Sequence, residues 1–187
     1  MRLAVLASGS GTILDAMAEE GLPVSLVLLD RPCKAEMVAA KHKLTCNMAE
    51  RNSFGANFDR HGYTKQVTDC LAASEIELVA MAGFGTVLGQ PIHDAFGGRI
   101  LNTHPSLLPA FPGWHAVNDA LAYGVKITGC TVHVATIEVD SGPILAQQAV
   151  PVEANDTVDT LHSRIKQAER PLYVRTLQEI IQRGHVL

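Results

Sequence analysis

Between Arg99 and Pro109 the chain reads Arg-Ile-Leu-Asn-Thr-His-Pro-Ser-Leu-Leu-Pro. Side chains of an extended segment alternate between two faces, so Asn102 and His104 point the same way, one pleat apart. Both end an apolar run, where an unpaired polar side chain is costly to bury. An amide and an imidazole on one face are donors that can stabilise negative charge on a developing oxyanion, and the imidazole can also carry a proton. Pro105 ends the run, and Pro109 and Pro112 stiffen the loop after it. A lone histidine at a strand end is commonly structural. The same-face asparagine and the rigid loop set His104 apart from that reading. Asp140 lies in the turn-forming run Val139-Asp-Ser-Gly-Pro143. An aspartate in such a turn ordinarily bonds its own backbone, and spacing alone does not bring it to His104.

A second feature is Gly9-x-Gly11-x-x-Leu14, which follows one apolar run and opens a helical one. With Asp30 at the end of the next apolar run, it invites a dinucleotide-binding reading. Leu14 stands where that motif needs its third glycine, which lets helix and strand pack closely. The broader reading is a tight turn that exposes amide N–H groups at a helix N-terminus, which suits a phosphate. A plain turn remains the alternative.

These motifs need elements to hold them. Leu3–Ala7, Val24–Leu29, Leu78–Phe84 and Arg99–His104 read as buried strands. Thr12–Glu20, Lys34–Lys43, Asn57–Ser74 and His115–Tyr123 read as helices. Alternating apolar strands and helices indicate a parallel sheet covered on both faces. Ligands bind at the carboxyl ends of such strands, where Ser8–Thr12, Gly83–Leu88 and Asn102–His104 all fall. Beyond residue 113, Cys130–Ala135 and Ile144–Val152 read as two strands joined by Thr136–Pro143. A final helix is expected over about Thr157–Arg183, with Pro171 kinking or dividing it. His133, on an apolar strand, reads as structural, and Trp114 as packing or a loop anchor. Lys166 and Arg164 read as a solvated helix face.

The chain has 187 residues and a net charge of −4, with 47% hydrophobic and 18% charged residues. That composition fits one folded domain. The absence of a basic run argues against nucleic acid. No apolar run is long enough for a membrane span. Cys33, Cys46, Cys70 and Cys130 show no metal-ligand spacing and read as reduced thiols of a cytoplasmic protein.

The segments LASGSGT (6–12), AGF (82–84), LNTHPSLLPAFPG (101–113), GCTVH (129–133) and VDSGPILAQ (139–147) resemble the phosphoribosylglycinamide formyltransferases, folate-dependent enzymes of purine synthesis. The resemblance runs from about Arg2 to Tyr173. It implies the formyltransferase fold: α/β, a doubly wound, mostly parallel sheet with helices on both faces and antiparallel strands near the C-terminal end. It implies one domain over 1–187, with a phosphate-binding half (1–100) and a folate and catalytic half (101–187). Asn102, His104 and Asp140 match the catalytic trio, with Asp140 keeping His104 charged and aimed. Gly11, Thr12 and Ile13 match the loop that holds the substrate phosphate, and Glu169 an acid near the ribose. Arg60 matches a folate-contacting arginine. Gly85, Thr86, Val87 and Leu88 match the backbone that holds the pterin, and Asn102 also faces the folate. Leu108–Pro109 matches a cis peptide. The co-substrate implied is 10-formyltetrahydrofolate, without a metal. The partners implied are small molecules, with the protein a monomer or homodimer. Four positions depart from the pattern: Ile13 replaces a polar residue, Gly85-Thr86 a common Met-Arg pair, and Ala110 a frequent lysine. Other readings are a formyltransferase for a nucleotide-sugar amine or methionyl-tRNA, and a non-catalytic folate- or nucleotide-binding module. The tRNA enzyme uses an added RNA-binding domain, which these 187 residues are not expected to supply.

Overall fold

In the computed structural model, which describes residues 1–53, 55 and 57–187, strand β1 (Leu3–Ala7) is buried along its whole length. Leu3, Val5 and Ala7 join one apolar cluster, and Ala4 and Leu6 join another. Strands β2 (Val24–Leu29) and β4 (Leu78–Met81) divide their side chains in the same way. Period-two alternation with both faces apolar follows when helices cover both sides of a sheet. The first cluster is covered by α1 (Thr12–Glu19), α2 (Ala35–Lys41), α5 (Ala116–Tyr123) and α6 (Val158–Arg183). The second is covered by α3 (Arg60–Ala73) and α4 (Gln90–Phe96).

The remaining strands are β3 (Cys46–Met48), β5 (Ile100–His104), β6 (Ile127–Val134) and β7 (Ile144–Pro151). All seven form one sheet in the order β3-β2-β1-β4-β5-β6-β7. The first five in that order are parallel, and β6 and β7 run antiparallel. The chain moves outward from β1 to β3, then returns beside β1 as β4. That reversal is a switch point, where the loops after two neighbouring strands part and leave a crevice. The two loops still touch through Ser8 N–H, which donates to Gly83 O at 3.3 Å. The Leu108–Pro109 bond is cis, as the resemblance implied. Among the described residues, no helix is long and apolar enough to cross a membrane.

The structure corrects several sequence expectations. Strand β3 and helix α4 escaped them because three and seven residues are too few to show a period. Pro91, at the start of α4, was the available signal. Strand β4 ends at Met81 rather than Phe84, because Gly83 takes a φ of 68° and turns the chain out of the sheet. Strand β6 begins at Ile127 rather than Cys130. Gly129 lets the backbone of Gln148 approach where a Cβ would collide with the Gln148 carbonyl.

Pro171 does not divide the last helix, which runs unbroken for 26 residues. Leu161 and Ile165 before it, and Leu172, Tyr173, Leu177 and Ile180 after it, are all buried in the first cluster. Packing on both sides outweighs the lost backbone bond. The ends are also fixed. Thr157 caps the N-terminus by accepting from Thr160 N–H, and Gly184 closes the C-terminus in the left-handed region.

Pro171 itself is exposed. Pro171→Ala restores an N–H that can reach the Gln167 carbonyl. It should stabilise the protein by about 1–2 kcal/mol, after allowance for a looser unfolded chain. Urea unfolding checks this, and a lower midpoint would show that the proline ring contributes more by contact than it costs.

Candidate functional site

A cleft of about 490 Å³ opens at the carboxyl ends of β1, β4 and β5. Its floor is the end of β5. Tyr173 anchors that strand from α6, donating its hydroxyl to Leu101 O at 2.9 Å. Asn102 and His104 occupy one face of β5, and Thr103 faces the other way, near enough to Glu169 of α6 to favour its charged form. The alternation expected from the sequence therefore holds.

His104 is 5% exposed. Its Nδ1 lies 3.3 Å from Asp140 Oδ2, and its Nε2 lies 2.8 Å from Phe111 O. A carbonyl can only accept, so Nε2 is the donor in that contact. Both ring nitrogens thus face acceptors. Asp140 is fixed in turn: its Oδ2 accepts from Gly113 N–H at 2.8 Å. Gly142 lies against Val134 with no space for a Cβ, which presses the Asp140 turn onto β6. Asp140 and Phe111 both adopt positive φ, 57° and 52°. Aspartate tolerates that region, whereas a phenylalanine there is uncommon.

His133 belongs to this group, and the structural role read from the sequence was too narrow. The antiparallel register sets it directly opposite Asn102. Its Nε2 lies 3.4 Å from Asn102 Nδ2 and 3.7 Å from Asp140 Oδ1. Burial pushes its pKa below the ordinary histidine value, against the pull of the Val134 carbonyl and Asp140. A neutral ring fits the network: Nδ1–H donates to Val134 O at 3.1 Å and Nε2 accepts from Asn102. The 3.7 Å approach to Asp140 is then a contact between neutral ring and carboxylate, rather than an ion pair.

At one end of the cleft lies the glycine loop. Gly11 has a φ of 74°, and a Cβ on it would stand 2.8 Å from Ala35 Cα. Both facts restrict the position to glycine. Gly11, Thr12 and Ile13 line the cleft at the start of α1, where helix N–H groups lack intrahelical partners. Glu169, His162, Lys166 and Arg170 of α6 border it. Burial raises the Glu169 pKa, opposed by Thr103, Lys166, His104 and Arg170. Arg164, by contrast, is occupied by a two-pronged pair with Asp156.

At the other end, Gly85, Thr86, Val87 and Leu88 line the wall beside Phe84 and Ile92. Thr86 is fully buried and donates to Asp30 at 2.9 Å, so its side chain turns away from the cleft. Asp30, the ribose-binding acid of a dinucleotide reading, is wholly buried and held by Arg31 and Thr86. It does not face the cleft. Arg60 is not brought in either. It is exposed at the start of α3, with its aliphatic chain against Gly89. Trp114 is 73% exposed and borders the cleft, where packing was expected.

Among the described residues, Asp15, Glu19 and His42 form one cluster of metal-ligand type. Lys41 already binds both carboxylates, at 2.8 and 3.2 Å. The cluster is a surface charge network.

The formyl transferase family model matches residues 1–177. A Mycobacterium tuberculosis protein named phosphoribosylglycinamide formyltransferase is 44% identical over 98% of this chain and 86% of its own. A Bacillus subtilis protein of the same name is 35% identical over 96% of this chain and 94% of its own. The crystal structure of phosphoribosylglycinamide formyltransferase from Bacillus halodurans superposes with a TM-score of 0.90. It has 34% identity over 100% of this chain and 98% of its own.

The direction of the His133 shift makes stability depend on pH. Above about pH 6.5 the ring is neutral in folded and unfolded chains alike; below it, the unfolded chain takes up a proton that the folded one resists. Stability should therefore fall as pH drops from about 6.5 toward the lower folded value. His93 and His162, also lowered by burial, act in the same sense. His133→Gln should lower stability throughout but flatten the acid decline. Urea midpoints between about pH 8 and 5 test this, and an undiminished slope would remove His133 from the titration.

Proposed function

The chain belongs to the formyl transferase family, and from that we propose that it moves the formyl group of 10-formyltetrahydrofolate to the amine of 5-phosphoribosylglycinamide. The products are formylglycinamide ribonucleotide and tetrahydrofolate, and the reaction is a step of de novo purine synthesis. The observation that carries the reading is the His104 ring. It is held by Asp140 beside Asn102, on the floor between the glycine loop and the wall at 85–88.

Each part of the cleft supplies one requirement. The free N–H groups at the start of α1 favour an anion such as the phosphate. Lys166 and Arg170 add positive charge on the same side. Ile13 offers its backbone amide there in place of a polar side chain. Glu169 lies where it can accept from the ribose hydroxyls. The wall at 85–88 offers a flat ring backbone polar groups, and Phe84 and Ile92 add apolar surface to the same cleft.

As the amine attacks, negative charge gathers on the formyl oxygen. The Asn102 amide and the His104 ring are the donors placed to receive it, and one such donor is worth roughly 3–4 kcal/mol in comparable sites. Asn102 is aimed by its contact with His133. Asp140 orients the His104 ring through Nδ1 and leaves Nε2 as the working atom. In the free protein Nε2 bonds Phe111 O, so the reactants must displace that carbonyl. His104 can then pass the amine's proton toward the departing nitrogen, directly or through a water.

His104→Ala should lower kcat by about two to four orders of magnitude while the protein still binds both substrates. Formyl transfer to a panel of amines is the assay. Unchanged turnover would remove His104 from the mechanism. Preference for a nucleotide-sugar amine or methionyl-tRNA would overturn the substrate.

A further inference from the structure

The wall at 85–88 belongs to neither helix nor strand, so its shape must come from the side chains that hold it. Those side chains converge on Asp30, which follows β2. Asp30 is fully buried. Its carboxylate accepts Arg31 Nε at 3.0 Å, Arg31 Nη2 at 3.1 Å and the Thr86 hydroxyl at 2.9 Å. The Ser8 hydroxyl lies near enough to the same carboxylate to help keep it ionised. Ser8 Oγ in turn accepts Gly85 N–H at 2.6 Å. One carboxylate therefore fixes residue 86 directly and borders the hydroxyl that holds residue 85.

The glycine at 85 fits this arrangement. A Cβ there would stand 3.1 Å from Arg31 Nη2, so a larger residue would press on the guanidinium that holds Asp30. Gly85 O accepts from Arg51 Nη1 at 3.5 Å, and Gly89 N–H donates to Thr64 Oγ1 at 2.9 Å. The segment is thus hung from four other elements of the chain. The Asp30 pKa stays below its ordinary value despite burial, because Arg31, Ser8 and Thr86 favour the charged carboxylate. The charge persists where burial alone would remove it.

We propose that Asp30 is a positioning residue for the formyl donor: through Ser8 and Thr86 it sets the backbone of 85–88 in the shape that binds the donor's ring. The inference rests on the function proposed above. It assigns Asp30 no contact with substrate. It also accounts for Gly85 and Thr86 together, since one admits the Arg31 guanidinium and the other reaches the carboxylate.

The test is steady-state kinetics of the wild-type protein, Asp30→Asn and Thr86→Val, with each substrate varied in turn. Asp30→Asn keeps the shape and removes the charge. Thr86→Val removes only the hydroxyl, and it remains informative if Asp30→Asn fails to fold. Each variant should raise KM for 10-formyltetrahydrofolate by about tenfold, with kcat and KM for the amine changed by less than about threefold. The double variant should be no worse than Asp30→Asn alone, because both act through one contact. A purely structural role would lower thermal stability without separating the two KM values, and that outcome overturns the inference. So does an unchanged donor KM. A wild-type protein that transfers no formyl group overturns the functional reading, and this inference with it.

Discussion

A sheet buried on both faces leaves polar side chains almost nowhere to go. Leu3–Ala7 and Leu26–Leu29 are fully enclosed, and a hydroxyl or carboxyl among them would lose its water without replacement. The strand ends are the exception, because loops there bring donors, acceptors and solvent. Asp30 follows β2, Ser8 follows β1, and Asn102, Thr103 and His104 end β5. The functional groups gather on one edge of the sheet because the interior excludes them. The strand order then decides which ends meet. The return of the chain from β3 to β4 parts the loops after β1 and β4, and the cleft is the space between them.

The same constraint explains what could be read from the sequence. Strands β1, β2 and β5 lie where their apolar runs placed them, because central strands carry the strongest signal. Asn102 and His104 could be paired by local alternation alone. Asp140 could not, since its approach to His104 spans an antiparallel pair and a turn, and only the resemblance supplied it. His133 shows the limit most clearly. It faces Asn102 through the register of β5 with β6, and register is a property of two segments that neither one discloses alone. Thr103 was passed over for a related reason: its partner, Glu169, comes from a helix far along the chain. Pro171 misled because local propensity was outweighed by burial on both sides. Arg60 was carried over from the resemblance, and its place at the rim of α3 keeps it out of the lining.

Burial acts on four ionisable groups near the cleft, with results that differ by partner. His133 and Glu169 meet too little opposite charge to offset desolvation, so both lean toward their neutral forms. Asp30 has no exposed surface, yet it leans toward the charged form because the Arg31 guanidinium and the Thr86 hydroxyl bond it directly. Tyr63, packed nearby, is pushed up to about 12, first by burial and then by the Asp30 charge. Depth alone therefore does not decide charge; what matters is whether the fold supplies donors to the ionised form. The sequence gives the residue types but not that supply.

Two carboxylates then divide the work of the cleft. In the reaction proposed above, Asp140 acts on an imidazole that changes partners, since its Nε2 hydrogen is bonded to Phe111 O and turns to substrate. Its own support is partly a loop amide, Gly113 N–H, in the same segment as Phe111. Any movement that frees the ring from Phe111 is therefore felt by Asp140 as well. Asp30 is held differently. Its partners come from the ends of β1 and β2 and from the wall it shapes. One carboxylate is tied to the loop that carries Phe111 and Gly113, and the other to the residues that follow β1 and β2 and to Thr86. On the proposed function, the cleft keeps a fixed wall for one reactant while the His104 ring exchanges its hydrogen bond.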